Sequence, residues 1–184
     1  RLIPYSSRAY PDKLTHIAQP PYAIFCKGAM PDARKSVGIV GARMCSEYGR
    51  SIATKLGKLL ADKDVQVISG MALGIDSASH AGALQGKGST FAVLGCGCDV
   101  CYPKNARNLY ENIQSSGGGI LSEYPPGTEP MPYRFPERNR IISALSDCLV
   151  VVEAKKKSGS LITADAALEQ GKDVYAVPGR FGDA

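Results

Sequence analysis

The stretch Ser36-Val37-Gly38-Ile39-Val40-Gly41-Ala42-Arg43 decides the fold. Its first five residues form an uncharged run rich in β-branched side chains and without polar alternation, as expected of a strand buried on both faces of a parallel sheet. Glycine then turns the chain, and a helical pattern follows over 46–63. Ile52, Ala53, Leu56, Leu59 and Leu60 make one stripe of that helix, Arg50, Lys55, Lys58 and Asp62 lie on the other side, and Ser46 supplies an N-cap.

The same unit of strand, small-residue turn and helix recurs on either side. Further apolar runs occupy 22–25, 65–68, 91–94, 120–122, 148–152 and 174–177, and helical patterns fall near 75–86, 105–116, 137–146 and 161–170. This alternation predicts an α/β fold with a doubly wound, mostly parallel sheet and helices on both faces. Residues 1–21 carry Pro4, Pro11, Pro20 and Pro21 and predict an irregular arm packed on a core of residues 22–184.

Composition agrees with a globular chain: 44% of the 184 residues are apolar and 21% charged. No run approaches the roughly 18 apolar residues of a membrane span, and Arg1-Leu2-Ile3-Pro4-Tyr5 is no signal-peptide core. A soluble, cytoplasmic protein without membrane contact is expected. The six cysteines read as reduced thiols, since a chain this long buries a core without staples. Cys96, Cys98 and Cys101 combine CxC and CxxC spacing but lack the second close pair of a structural zinc site, so they read as turn residues rather than a metal centre. Cys98 and Cys101 are expected to be exposed and prone to oxidation.

In such a sheet, ligands bind beyond the carboxyl ends of the strands, so the turns there carry the chemistry. The first is Gly41-Ala42-Arg43, where glycine permits close approach, helix-entry amides donate, and Arg43 adds a planar cation. Others are Ser69 to Asp76, Gly95 to Asp99, and Glu153-Ala154-Lys155-Lys156-Lys157-Ser158-Gly159-Ser160. Together they describe a glycine-floored, cation-edged crevice suited to phosphates. Neither GxGxxG nor GxxxxGK[ST] occurs, so no standard nucleotide fingerprint is present, and tight turns or helix packing would also explain any one glycine.

Arg138 and Arg140 fall near the expected start of a helix at 137, where cations oppose the dipole unless an anion or an acidic partner such as Glu123 or Glu153 compensates. Tyr48, Tyr102, Tyr124, Tyr133 and Phe135 cluster near the same turns, for loop packing or for stacking on bases. Ser69, Asp76 and His80 superficially offer a nucleophile, an acid and a base. No GxSxG elbow frames the serine, so a structural hydrogen bond is the better reading of His80. Glu153 is a possible general base with no nucleophile set against it.

These motifs resemble the DNA-processing protein A (DprA, also called Smf) family of bacteria. The resemblance rests on Gly41-Ala42-Arg43, Ser69-Gly70-Met71-Ala72-Leu73-Gly74-Ile75-Asp76, Tyr102-Pro103, Ser122-Glu123-Tyr124-Pro125, Phe135-Pro136-Glu137-Arg138-Asn139-Arg140-Ile141-Ile142, Ser158-Gly159-Ser160-Leu161-Ile162-Thr163-Ala164 and Val177-Pro178-Gly179. It implies an extended Rossmann-like domain that binds single-stranded DNA without turnover, forms homodimers, protects incoming strands in natural transformation and helps load the RecA recombinase. No cofactor is implied. On the matching positions it implies phosphate or DNA contacts by Arg43 with Gly41 beside it, by Lys157, Ser158, Gly159 and Ser160, and by Arg138 and Arg140. The rival reading is a Rossmann-like nucleotide hydrolase or transferase using the same pocket, with Glu153 as base. A third, a metal-dependent module on Cys96, Cys98 and Cys101, would carry stoichiometric zinc.

Overall fold

A computed structural model describes residues 1–179; the last five of the expected core, 180–184, lie outside the described residues. In chain order the elements are β1 (Leu2–Pro4), α1 (Asp12–Thr15), β2 (Ala23–Gly28), β3 (Ser36–Val40), α2 (Glu47–Asp62), β4 (Gln66–Ser69), α3 (Ile75–Ala83) and β5 (Thr90–Leu94). They continue as α4 (Arg107–Ser115), β6 (Gly119–Ser122), α5 (Arg134–Leu145), β7 (Cys148–Val151), α6 (Gly159–Glu169) and β8 (Asp173–Ala176). The strands form one sheet in the order β1-β2-β6-β5-β4-β3-β7-β8. From β6 to β8 every neighbouring pair is parallel, whereas β2 runs antiparallel to both β6 and β1. The expected α/β, doubly wound, mostly parallel Rossmann-like fold is therefore present, and the arm is irregular apart from β1 and the single turn α1.

The unbroken apolar runs follow from two covered faces. Val40, Ile68, Phe91, Val93 and Leu121 face one core with α1, α5 and α6, and their neighbours Ile39, Val67, Ala92, Leu94 and Ile120 face the other with α2, α3 and α4. Successive side chains point to opposite faces of a strand, so both sets must be apolar. Each fully buried Ile, Leu or Phe contributes about 1.5–3 kcal/mol of transfer free energy.

Helix α2 starts as its sequence suggests: the Ser46 hydroxyl accepts the Gly49 N–H at 3.0 Å. Helix α5 does not, beginning at Arg134, three residues before the expected 137. Pro136 is tolerated because the first turn has no intrahelical acceptor for its missing N–H. Arg138 and Arg140 thus lie in the second turn, and the dipole argument for an anion beside them falls away.

Candidate functional site

The chain lays β3 through β6 outward in one direction and then returns to place β7 and β8 on the other side of β3. The switch point therefore lies between β3 and β7, and a crevice opens beyond their carboxyl ends. It is a cleft of about 510 Å³. The turn after β3 contributes Gly41, Ala42, Arg43 and Met44, the turn after β7 contributes Lys155, Lys157 and Ser158, the start of α6 contributes Gly159 and Ser160, and α5 contributes Phe135, Arg138 and Asn139. A smaller cavity of about 60 Å³ adjoins it, sharing Arg43, Phe135 and Arg138 and reaching Gly95, Cys96 and Tyr102.

Arg43, Lys155 and Lys157 are exposed, and among the described residues none of them meets a carboxylate within ion-pair distance. Arg43 lies over the Phe135 ring, 5.4 Å from its centroid, and Phe135 stacks on Tyr102 at 5.5 Å. Helix α6 begins at Gly159, two residues before the expected 161, so Ser158-Gly159-Ser160 is the helix entry itself. The Ser158 hydroxyl caps it weakly, accepting the Ser160 N–H at 3.4 Å. This end, with its partial positive charge, faces the lysines that precede it.

The other expected site residues divide sharply. Gly41, Arg43, Lys157, Ser158, Gly159, Ser160 and Arg138 share the crevice; Arg140 does not. Arg140 binds Glu123 through two hydrogen bonds at 2.8 and 2.7 Å and donates to the Gln19 carbonyl at 3.1 Å, tying α5 to the N-terminal arm. Its acidic partner is one of the two named from sequence. Arg138 is only 4% exposed and donates to the carbonyls of Gly70 and Val93 and to Asn139 Oδ1. Burial pulls its pKa down to about 10, against the Asp76 carboxylate, which holds it up. Arg138 therefore supplies charge to the crevice floor with most of its donors already engaged.

Asn139 went unremarked in the sequence. Its amide donates to the Gly159 carbonyl at 3.2 Å and so joins α5 to the α6 entry. The only signal was its place between two arginines on one helix.

Ser69, Asp76 and His80 do not assemble. The Ser69 hydroxyl donates to the Ile39 carbonyl at 2.6 Å, Asp76 accepts the Gly70 N–H at 3.2 Å, and His80 is fully buried with Nδ1 2.7 Å from Thr90 Oγ1. Nor is Glu153 free as a base: its carboxylate accepts from the Ser46 N–H and hydroxyl. The expectation of exposed Cys98 and Cys101 is overturned. Both are buried with Cys96 against Tyr110 and Ile113, and burial pushes all three thiols up, Cys96 to about 11. Among the described residues no group of three or more His, Cys, Asp or Glu side chains is arranged to hold a metal. Tyr124 is bound to Glu137 at 2.8 Å, whereas Tyr102 and Tyr133 remain 40% and 55% exposed.

Fold and crevice together define a Rossmann-like α/β protein with a basic, aromatic-walled cleft at its switch point. The chain belongs to the DNA recombination-mediator protein A family, whose model matches residues 1–184. It is 44% identical over 183 residues to the DNA processing protein DprA of Bacillus subtilis (strain 168), covering 98% of this chain and 61% of that one. Protein Smf of Escherichia coli (strain K12) is 41% identical over 183 residues, 99% of this chain and 49% of its own. The chain thus spans less than two thirds of these relatives. Among solved structures, DNA processing protein A from Streptococcus pneumoniae superposes with a TM-score of 0.91 at 40% identity, covering all of this chain and 64% of that one. A structure described as the single-stranded DNA binding mode of DNA processing protein A from Helicobacter pylori gives 0.82 at 30%, covering 95% and 80%. The molybdenum cofactor binding protein of Rippkaea orientalis, 19% identical with a TM-score of 0.59 over 80% of this chain and 78% of that one, shares the fold alone. Among the described residues no helix is long and apolar enough to cross a membrane.

Proposed function

We propose that this chain binds single-stranded DNA by its phosphates, without chemical turnover, in the crevice between the turns after β3 and β7. The observation that carries the reading is the set of unpaired cations, Arg43, Lys155 and Lys157, around the open amino end of α6. Family membership supports it, as does the described binding mode of the Helicobacter pylori relative. Against the nucleotide hydrolase or transferase stand the engaged Glu153 and the buried His80. The reading extends to a cytoplasmic protein of natural transformation that acts as a homodimer, protects incoming strands and helps load RecA.

Titration of a labelled oligonucleotide at several salt concentrations tests it. Three neutralised phosphates give a slope of log K against log salt of roughly −2, at about −0.7 per phosphate of a single strand. Arg43→Ala or Lys157→Ala should each flatten that slope by about 0.7 and weaken binding alike across sequences. An affinity insensitive to salt would sink the proposal.

A further inference from the structure

Glu153, at the end of β7, lies outside the crevice lining yet holds both of its halves. Its backbone carbonyl accepts the Ala42 N–H at 2.7 Å. Its carboxylate accepts the Ser46 N–H at 3.1 and 3.0 Å and the Ser46 hydroxyl at 2.7 Å. The turn that carries Arg43 is thus clamped on both sides by a residue two positions before Lys155. The carboxylate also occupies the amino end of α2, the place an anion takes on an open helix. The fold leaves a berth for it: a Cβ at position 49 would stand 2.3 Å from Glu153 Oε2, and residue 49 is glycine. Of the helices that follow the turns after β3 and β7, α2 therefore carries an internal anion, and α6 has only the weak Ser158 cap.

We infer that Glu153 is the positioning residue of the crevice. Its carboxylate takes the place of a phosphate on α2, fixes the Arg43 turn against the β7 turn, and leaves the α6 entry beside the lysines open to a nucleotide phosphate. This inference rests on the DNA-binding reading of the same site.

The test is Glu153→Ala, with oligo-dT affinity and melting temperature measured in chloride and in acetate at equal ionic strength. Emptying the berth frees the Arg43 turn, so affinity should fall about fivefold and the salt slope flatten by about 0.7, the share of one phosphate. Adding Arg43→Ala to this variant should then cost little more. Acetate refills the berth, and should raise the melting temperature and restore the affinity of Glu153→Ala while doing neither for the parent. Glu153→Gln keeps an acceptor oxygen for Ser46 and should recover binding to within about threefold of the parent, as a retained hydrogen bond predicts. Parent-like binding by a folded Glu153→Ala, or a loss that acetate leaves untouched, overturns the inference.

If Glu153→Ala does not fold, Glu153→Gln decides. Tighter binding than the parent with an unchanged slope would make Glu153 only a repelling charge and overturn the inference, and binding within about threefold of the parent that Arg43→Ala still weakens, flattening the slope by about 0.7, upholds it. A parent that binds no oligonucleotide removes the DNA reading instead, and the berth is then judged by the acetate-dependent melting of Glu153→Ala alone.

Discussion

Asp76 and His80 stand one turn apart on α3, both buried, and burial drives them in opposite directions. Desolvation, opposed by Arg138, lifts the Asp76 carboxyl to about 6; desolvation, aided by Arg138, lowers the His80 imidazole to about 3. For Asp76 the folded pKa lies above the unfolded value, so its contribution is full below about pH 4 and is lost as pH rises through 6. For His80 the folded pKa lies below, so stability is kept above about pH 6.5 and lost as pH falls toward 3. Between about pH 4 and 6 the two slopes, each near 1.4 kcal/mol per pH unit, cancel. Relative to the parent, Asp76→Asn should therefore gain stability as pH rises from about 4 to 6. Urea denaturation across this range measures it, and a constant difference would remove Asp76 from the balance.

Gly159 offers a residue-scale test of the crevice itself. A Cβ there meets nothing within 4 Å, so Gly159→Ala should leave stability unchanged or raise it by several tenths of a kcal/mol. A phosphate lying against the α6 entry would collide with the new methyl, so oligonucleotide affinity should drop about fivefold in the same variant. Equal affinity would place the phosphate elsewhere. Arg43, Lys157 and Ser158-Gly159-Ser160 were legible because they fall in the turns that lead from unmistakable strands into helices. The part of Arg138 was not, because it depends on where α5 begins and on the carbonyls of two distant strand ends.

At the scale of elements, the parallel strands were plain from apolar runs that admit no polar face, and β3 was read to its ends. The antiparallel entry of β1 and β2 was not, since three residues rich in proline and polar neighbours give β1 no pattern of its own. The helix starts at α5 and α6 were missed for one reason: proline and small residues mark a break in sequence, yet both fit the first turn of a helix. Pairing of helices is likewise invisible to periodicity. Helices α2 and α3 cross so closely that a Cβ at Gly82 would stand 2.0 Å from the Thr54 carbonyl oxygen. Alanine is the better helix former by about 1 kcal/mol, but forcing two backbones apart costs about 1–3 kcal/mol or more. With backbone on both sides the strain should win, and Gly82→Ala should lower stability by roughly 2 kcal/mol in chemical denaturation. A gain would mean that the helices slide apart without resistance.

For the whole molecule, the feature that sequence could not reveal is the strand order, which alone brings the turns after β3 and β7 together. Once they meet, the end of the sheet carries two kinds of surface: cations and an open helix end on the β7 side, and exposed Met44, Leu73, Tyr102 and Met131 on the turns around it. A duplex holds its phosphates on a stiff rod, with a persistence length of about 150 bp, and keeps its bases stacked inside. A single strand can bend one phosphate into the cleft and lay unstacked bases on the aromatic wall, where each stacked base adds about 1–3 kcal/mol. Single strands should therefore bind at least about tenfold more tightly than duplex of equal length at matched salt, the value of one stacked base. Because stacking is not screened, this preference should persist as salt rises, even while both affinities fall. Tyr102→Ala should narrow the ratio and leave the salt slope intact, whereas Lys157→Ala should flatten the slope and leave the ratio. Equal affinity for duplex and single strand, or a Tyr102→Ala variant with an unchanged ratio, would confine recognition to phosphate charge alone.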